Sequence, residues 1–209
     1  MARKTGSHSD ITGPRIREAA RHLFARNGFA AVSMRQIAAE VGVQAGALYL
    51  YTPDKERLLF DLLRDHMEDL LARAGALPAG GPEARLEAFV RLHLAHSLDH
   101  PEAVFLSYME LRNLGPQNFA AIEALRHRYE DLLAAILRDG QASGTFQVPE
   151  PRLASFALIA MLTGVTTWYR EGGRLTRDRV AGIYLDMARG AVGLPVSRQA
   201  APRINAPDG

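Results

Sequence analysis

The chain has 209 residues, no cysteine and a formal net charge of +2, with 47% apolar and 23% charged residues. This balance suits a globular protein with a sizeable core, and the lack of cysteine excludes disulfide frameworks, thiolate metal sites and cysteine nucleophiles. The charge is uneven: residues 1–55 carry eight basic and four acidic side chains, a local +4, while the remainder is −2, so one end is suited to a polyanion. The N-terminus lacks the apolar stretch of a secretory signal. The longest uncharged run, 153–169, is interrupted by Ser155, Thr163, Gly164, Thr166 and Thr167 and falls short of the ~20 apolar residues that span a bilayer, so the expected location is the cytoplasm.

Alternating strand patterns are absent and apolar faces of helical period recur from end to end, which predicts an all-α fold of about nine helices. Residues 1–12 read as a flexible arm. A first helix is expected from about Gly13-Pro14, burying Ile16, Ala19, Ala20, Leu23 and Phe24, and ending at Asn27-Gly28. Ser33-Met-Arg-Gln36 forms a capping box that opens a short helix burying Met34, Ile37, Ala38 and Val41. Gly42 then turns the chain into a second short helix over about 44–50. Two short helices joined by a glycine turn make a helix-turn-helix. A long helix over about 54–74 follows, then a Gly/Pro-rich linker at 75–82 and helices at about 83–99, 101–113, 117–140, 150–170 and 176–193. The expected organisation is an arm (1–12), a DNA-binding module (13–57), a ligand-binding and dimerisation body (58–194) and a disordered tail (195–209).

A short helix projecting from a three-helix module can enter the major groove with its N-terminal side chains facing base edges and phosphates. In this reading Gly46 permits close backbone approach, Tyr49 offers a hydroxyl to a phosphate and Lys55 adds a point charge. Gln44 is the candidate base reader, because an amide can bond adenine at two atoms. The stretch from Ser33 to Leu59, with Ile37-Ala38, Gly42-Val43, Gly46-Ala-Leu-Tyr49 and Pro53-Asp-Lys-Glu-Arg-Leu58, resembles the TetR family of transcriptional repressors over about residues 14–60. The resemblance implies DNA contacts at Ser33, Arg35, Gln44, Ala45, Gly46, Tyr49, Tyr51 and Lys55. The chain departs from the family's common residues in three places: Gln44-Ala45 replaces Ser-Lys, Leu50-Tyr51 replaces an aromatic-His pair, and Thr52 replaces Phe.

Modules of this sort act as two-fold dimers on pseudo-palindromic operators. The small-residue face Ala154, Ala157, Ala160, Met161 and Gly164, with the last helix's Val180, Ile183, Tyr184, Met187, Ala191 and Val192, is the candidate interface or, alternatively, monomer core. The segment from Thr163 to Thr176 is similar to that of family members sensing acyl-CoA thioesters, which implies an apolar tunnel with basic residues at its mouth. Phe89, Phe105, Tyr108, Met109, Phe119, Phe156 and Trp168, with Arg112, are the candidate ligand contacts; Arg126, Arg128, Arg170 and Arg174 are further basic candidates. His93, His96 and His100 read as polar helix surface or pocket lining, without a metal. No catalytic signature appears, so neither an enzyme nor a cofactor is expected. A repressor released by a small, largely apolar effector, either an acyl-CoA thioester or another apolar or aromatic molecule, is the expected function, against a ligand-independent structural DNA binder or a helical interaction protein with a degenerate DNA module.

Overall fold

The computed structural model describes residues 6–195, with side chains from residue 12 onward. These residues form ten α-helical segments and one 3₁₀ turn, with no strand among them. The segments are α1 (Gly6–Asn27), α2 (Met34–Val41), α3 (Ala45–Leu48), α4 (Lys55–Gly75), α5 (Pro82–Asp99), α6 (Pro101–Met109), the 3₁₀ turn Leu111–Asn113, α7 (Pro116–Ala142), α8 (Pro151–Thr163), α9 (Val165–Trp168) and α10 (Arg177–Ala191). Helices α5 to α8 each begin on a proline, whose fixed φ and missing N–H suit the first helical position.

The expected arm is corrected in part. Residues 6–12 are helical and extend α1, so Pro14 lies inside the helix, where its missing N–H forfeits one bond and its ring crowds the preceding turn. Residues 1–5 and the expected tail beyond Pro195 lie outside the described residues. The single helix expected over 150–170 is divided at Gly164 into α8 and the one-turn α9.

Helices α1 to α3 pack together at one end, and α4 leaves them to run through the body against α5, α6 and α7. One continuous core joins the two parts, from Ile16, Phe24, Ile37 and Leu48 through Leu58, Leu59, Leu63 and Met67 of α4 to Leu94, Leu133, Leu162 and Ala188. Polar ties reinforce the junction: Glu102 of α6 accepts from Arg21 Nε at 3.2 Å and pairs with His22 Nδ1 at 2.9 Å. Glu56 accepts from the Gly115 amide at 2.7 Å and from Asn118 at 3.0 Å, and these bonds hold its carboxyl below the usual range.

Near the end of α7, Gly140 is where the Phe146 ring closes over the helix. A Cβ there would lie 1.9 Å from that ring, and the Phe146 amide bonds the Gly140 carbonyl at 2.9 Å. An alanine in an open helical position would be favourable, but here it must expel a buried ring. Gly140→Ala should lower the unfolding free energy by about 1–3 kcal/mol in chemical denaturation. Gly182→Ala, which meets no atom within 4 Å, should be neutral or stabilising in the same assay. Equal behaviour of the two variants would contradict this packing.

Candidate nucleic-acid interface and effector cavity

The turn between α2 and α3 is built by local chemistry. The Ser33 hydroxyl accepts from the Gln36 amide at 3.3 Å while the Gln36 side-chain oxygen accepts from the Ser33 amide at 2.8 Å, so both arms of the capping box are present. Gly42 ends α2 at φ +77°, a left-handed conformation that a side chain would strain. Arg15 of α1 donates to the Val41 carbonyl at 2.9 Å, placing a cation at the negative end of α2. Leu48 is fully buried and anchors α3, a single turn, in the module core.

This anchoring leaves Ser33, Arg35, Gln44, Gly46, Tyr49 and Tyr51 exposed. Gln44 is the N-cap of α3, and its exposed side chain makes no capping bond, so its amide is not engaged by its own helix. Tyr49 is 56% exposed despite its large apolar ring. Gly46 has open space around the position of a Cβ, so no internal packing requires glycine there. Ala45 is half-buried and packs on the core. Thr52, at the family's aromatic position, is buried and donates its hydroxyl to the Asp54 carbonyl at 3.0 Å.

Lys55, expected as a point charge at the start of α4, is partly buried and also holds the module together. Its ammonium donates to the carbonyls of Phe29 and Val32, each at 2.8 Å, and lies 4.2 Å from the centre of the Phe29 ring. Those carbonyls belong to the connection between α1 and α2, so two of its three donors fix the start of α4 to the module. One N–H remains for a phosphate.

In the body, His66, Met67 and Leu70 of α4, His93, His96 and Ser97 of α5, Val104 and Tyr108 of α6, Arg126, Tyr129 and Glu130 of α7, and Ile159 and Thr163 of α8 line a cavity of about 40 Å³. That volume accommodates two or three waters. A polar chain crosses it: His93 Nδ1 meets the Tyr129 hydroxyl at 2.9 Å, His93 Nε2 meets Thr163 Oγ1 at 3.0 Å, and Thr163 Oγ1 meets the Tyr108 hydroxyl at 3.1 Å. Burial, reinforced by His96 and His66, pushes the His93 pKa down to about 3, so the ring is neutral. His66 falls to about 3 and His96 to about 4 for the same primary reason, and burial raises the Tyr129 phenol. At the rim, the Arg126 guanidinium lies 5.0 Å from the centre of the Tyr108 ring.

Of the eight expected ligand contacts, only Tyr108 lines this cavity. Phe89 is fully buried core beside Tyr129, while Phe105, Met109, Arg112, Phe119 and Phe156 are exposed outside it. Trp168 is 45% exposed, and its indole donates to the Tyr184 hydroxyl at 3.2 Å, stacking on α10 instead of entering the cavity. His93 and His96, read in the sequence as polar surface or pocket lining, and Arg126, a further basic candidate, do line it; His66, Met67, Leu70, Ser97, Val104, Tyr129, Glu130, Ile159 and Thr163 were not singled out as ligand contacts. The available signal for this lining was the inward phase of His93, His96 and Ser97 along α5.

Two predictions follow from this geometry. Lys55→Ala leaves the Phe29 and Val32 carbonyls without their cationic donor and should lower stability by about 1.5–3 kcal/mol, whereas Tyr49→Phe should leave it unchanged; a Lys55→Ala protein as stable as the parent would refute the anchor. The buried histidines set the pH profile. Each binds a proton near pH 6.5 when unfolded but resists it when folded, so stability declines as pH falls from about 6.5 towards 3. His93→Gln, retaining side-chain donor and acceptor capacity, should lose about 2 kcal/mol less than the parent between pH 7 and 5 in urea titrations; identical losses would mean that His93 is not held neutral.

Comparison with known proteins agrees with the module and the body separately. Residues 16–62 match the family of bacterial regulatory proteins, tetR family, and residues 79–192, more than half the chain, match the tetracyclin repressor-like C-terminal domain. The HTH-type transcriptional repressor KstR2 of Rhodococcus jostii is 28% identical over 177 residues, covering 83% of this chain and 87% of its own. The HTH-type transcriptional repressor SCO4008 of Streptomyces coelicolor is 32% identical over 154 residues, covering 73% and 77%. Among solved structures, a tetR-family regulator from Rhodococcus RHA1 superposes with a TM-score of 0.83 at 27% identity, covering 88% of this chain and 98% of its own. AibR, solved in complex with isovaleryl coenzyme A and operator DNA, superposes with a TM-score of 0.77 at 25% identity, covering 84% and 97%. With its helix-turn-helix and its helical body both matched, the chain belongs to the TetR family of transcriptional regulators.

Proposed function

We propose that the protein is a repressor in which residues 13–57 read a pseudo-palindromic operator, residues 58–194 dimerise and bind the effector, and an acyl-CoA thioester releases the DNA. The observation that carries this reading is the span of α4. Its first residue holds the α1–α2 connection through Lys55, and three turns later His66, Met67 and Leu70 line the cavity. The cavity of about 40 Å³ opens to solvent beside the half-exposed Tyr108, so an effector larger than a few waters must either extend out of it or displace its walls, of which α4 is one.

The lining suits a molecule with an apolar chain and a polar carbonyl. Met67, Leu70, Val104 and Ile159 offer apolar contact, the hydroxyls of Tyr108, Tyr129 and Thr163 can donate to a thioester oxygen, and Arg126 stands at the rim for a phosphate. AibR's complex with isovaleryl coenzyme A supports this class. For the dimer, α8 leaves Leu153, Phe156, Ala157 and Ala160 exposed and α10 leaves Met187 and Ala191 exposed, forming apolar stripes at helical spacing. Val180, Tyr184 and Val192, candidate interface residues in the sequence, are instead buried within the single chain.

Operator binding measured by fluorescence anisotropy against short- and medium-chain acyl-CoA thioesters, free coenzyme A and the corresponding acids tests the reading. A thioester should weaken operator affinity at least tenfold, equivalent to about 1.4 kcal/mol of preference for the DNA-free state. Ser97→Val, which fills the cavity with apolar atoms, should retain operator binding and lose most of that response. Failure of every thioester, or a normal response in Ser97→Val, would overturn the assignment.

A further inference from the structure

We propose that Asp69, His96 and His100 form a binding site for one late first-row divalent cation of the zinc class, at the junction of α4 and α5 and facing α1. One ligand atom from each residue lies within 4.8 Å of the other two. His96 sits in the last turn of α5 and His100 is its C-cap, a four-residue spacing that brings the imidazoles side by side with ring centres 4.8 Å apart and planes tilted by 56°. Asp69 approaches from the adjacent helix. Ligand atoms in a tetrahedral zinc site are about 3.4 Å apart, so closure requires about 1.4 Å of approach, available to the partly exposed Asp69 and His100 side chains while His96 stays fixed.

An independent feature points to a missing ligand. His96 has a side chain only 3% exposed, and its Nδ1 is buried without a hydrogen-bond partner. The nearest carboxylate oxygen, Asp69 Oδ2, is 3.7 Å away, beyond hydrogen-bond reach. The other ring nitrogen, Nε2, meets His66 Nδ1 at 3.3 Å. If Nε2 donates its proton to His66, the Nδ1 lone pair faces Asp69 and His100 with nothing between. Metal-binding histidines are commonly arranged this way, with the second ring nitrogen donating to a fixed acceptor. A cation there satisfies the orphaned lone pair and the carboxylate together.

The surroundings are compatible. Arg73 Nε donates at 2.8 Å to Asp69 Oδ2, the same oxygen that lies 3.7 Å from His96 Nδ1, so the guanidinium orients the carboxylate and would share that oxygen with the ion. Two imidazoles and one carboxylate suit zinc, cobalt or nickel in preference to magnesium or calcium, and three protein donors leave a position open to solvent. The groove above the site is lined by Pro14, Arg17, Glu18 and Arg21 of α1 and by Asp65 of α4. Arg17 and Arg21 oppose a cation there, whereas Glu18 and Asp65 favour it, so selectivity rests on the donor set. A bound ion would clamp α4 to the end of α5 opposite the first helix of the DNA-binding module.

The test is Co²⁺ titration of the untagged, chelator-treated full chain, followed by visible absorption. One Co²⁺ per chain should bind with the d–d bands of a nitrogen- and oxygen-ligated ion, Zn²⁺ should displace it and Mg²⁺ should not. His100→Ala and Asp69→Asn should each weaken binding at least tenfold with an unchanged helical circular dichroism spectrum, while His127→Ala, at an exposed site on α7, should bind as the parent does. Absence of saturable Co²⁺ binding overturns the proposal, as does binding undiminished by either ligand substitution.

Discussion

The packing of α4 against two sets of partners governs the rest of the structure. Its first two residues carry opposite charges and reach in opposite directions along the chain. Lys55 reaches back 26 and 23 residues to the Phe29 and Val32 carbonyls, while Glu56 reaches forward 59 and 62 residues to Gly115 and Asn118. One residue therefore fixes α4 to the DNA-binding module and the next fixes it to the N-terminus of α7. Leu58, Leu59, Leu63 and Met67 then bury its apolar side without interruption. The module and the body are not two cores joined by a linker; they share a helix.

That sharing determines how a signal can travel. If the α1–α2 connection were held to α4 only by apolar contact, sliding side chains could absorb a small tilt. The paired Lys55 hydrogen bonds are directional and short, so displacement at the N-terminus of α4 moves the α1–α2 carbonyls or breaks the bonds. At the other end of the path the cavity is small, and its polar chain through His93, Tyr129, Thr163 and Tyr108 is mutually satisfied. An entering ligand must replace those bonds as well as make room. Such a site discriminates against purely apolar molecules, because opening it without offering polar partners leaves buried hydroxyls unpaired.

The helix-turn-helix was legible because its determinants are local. Ser33 and Gln36 cap each other three residues apart, and Gly42 supplies the left-handed turn, so sequence spacing alone carries the geometry. Gly164 shows the opposite case: it adopts helical angles, yet the assigned helix is interrupted there, and apolar periodicity continues through the break. Pro14 led to a late start for α1 because proline's preference for the first turn says nothing about whether an earlier turn is tolerated. The cavity was hardest to read. Its walls come from five helices, and large aromatic side chains such as Phe105 and Trp168 attract attention although their helical phase turns them outward. Ser97 and Thr163 look unremarkable in the chain but occupy interior positions.

The two-fold assembly proposed for the α8 and α10 faces alters the scale of the motion required. In a dimer, the separation of two recognition helices depends on the tilt of both copies of α4, so equal rotations add across the axis. Operators present half-sites at a fixed spacing of about 34–36 Å, and contacts to base edges and phosphates are short-ranged. A tilt too small to disturb the core of either chain can therefore misalign one half-site when the other is engaged. The arrangement needs no unfolding of the module and no large cavity in the closed state. It needs α4 to be rigid, anchored at Lys55 and exposed to the effector near Leu70, and those are the features that its sequence encodes.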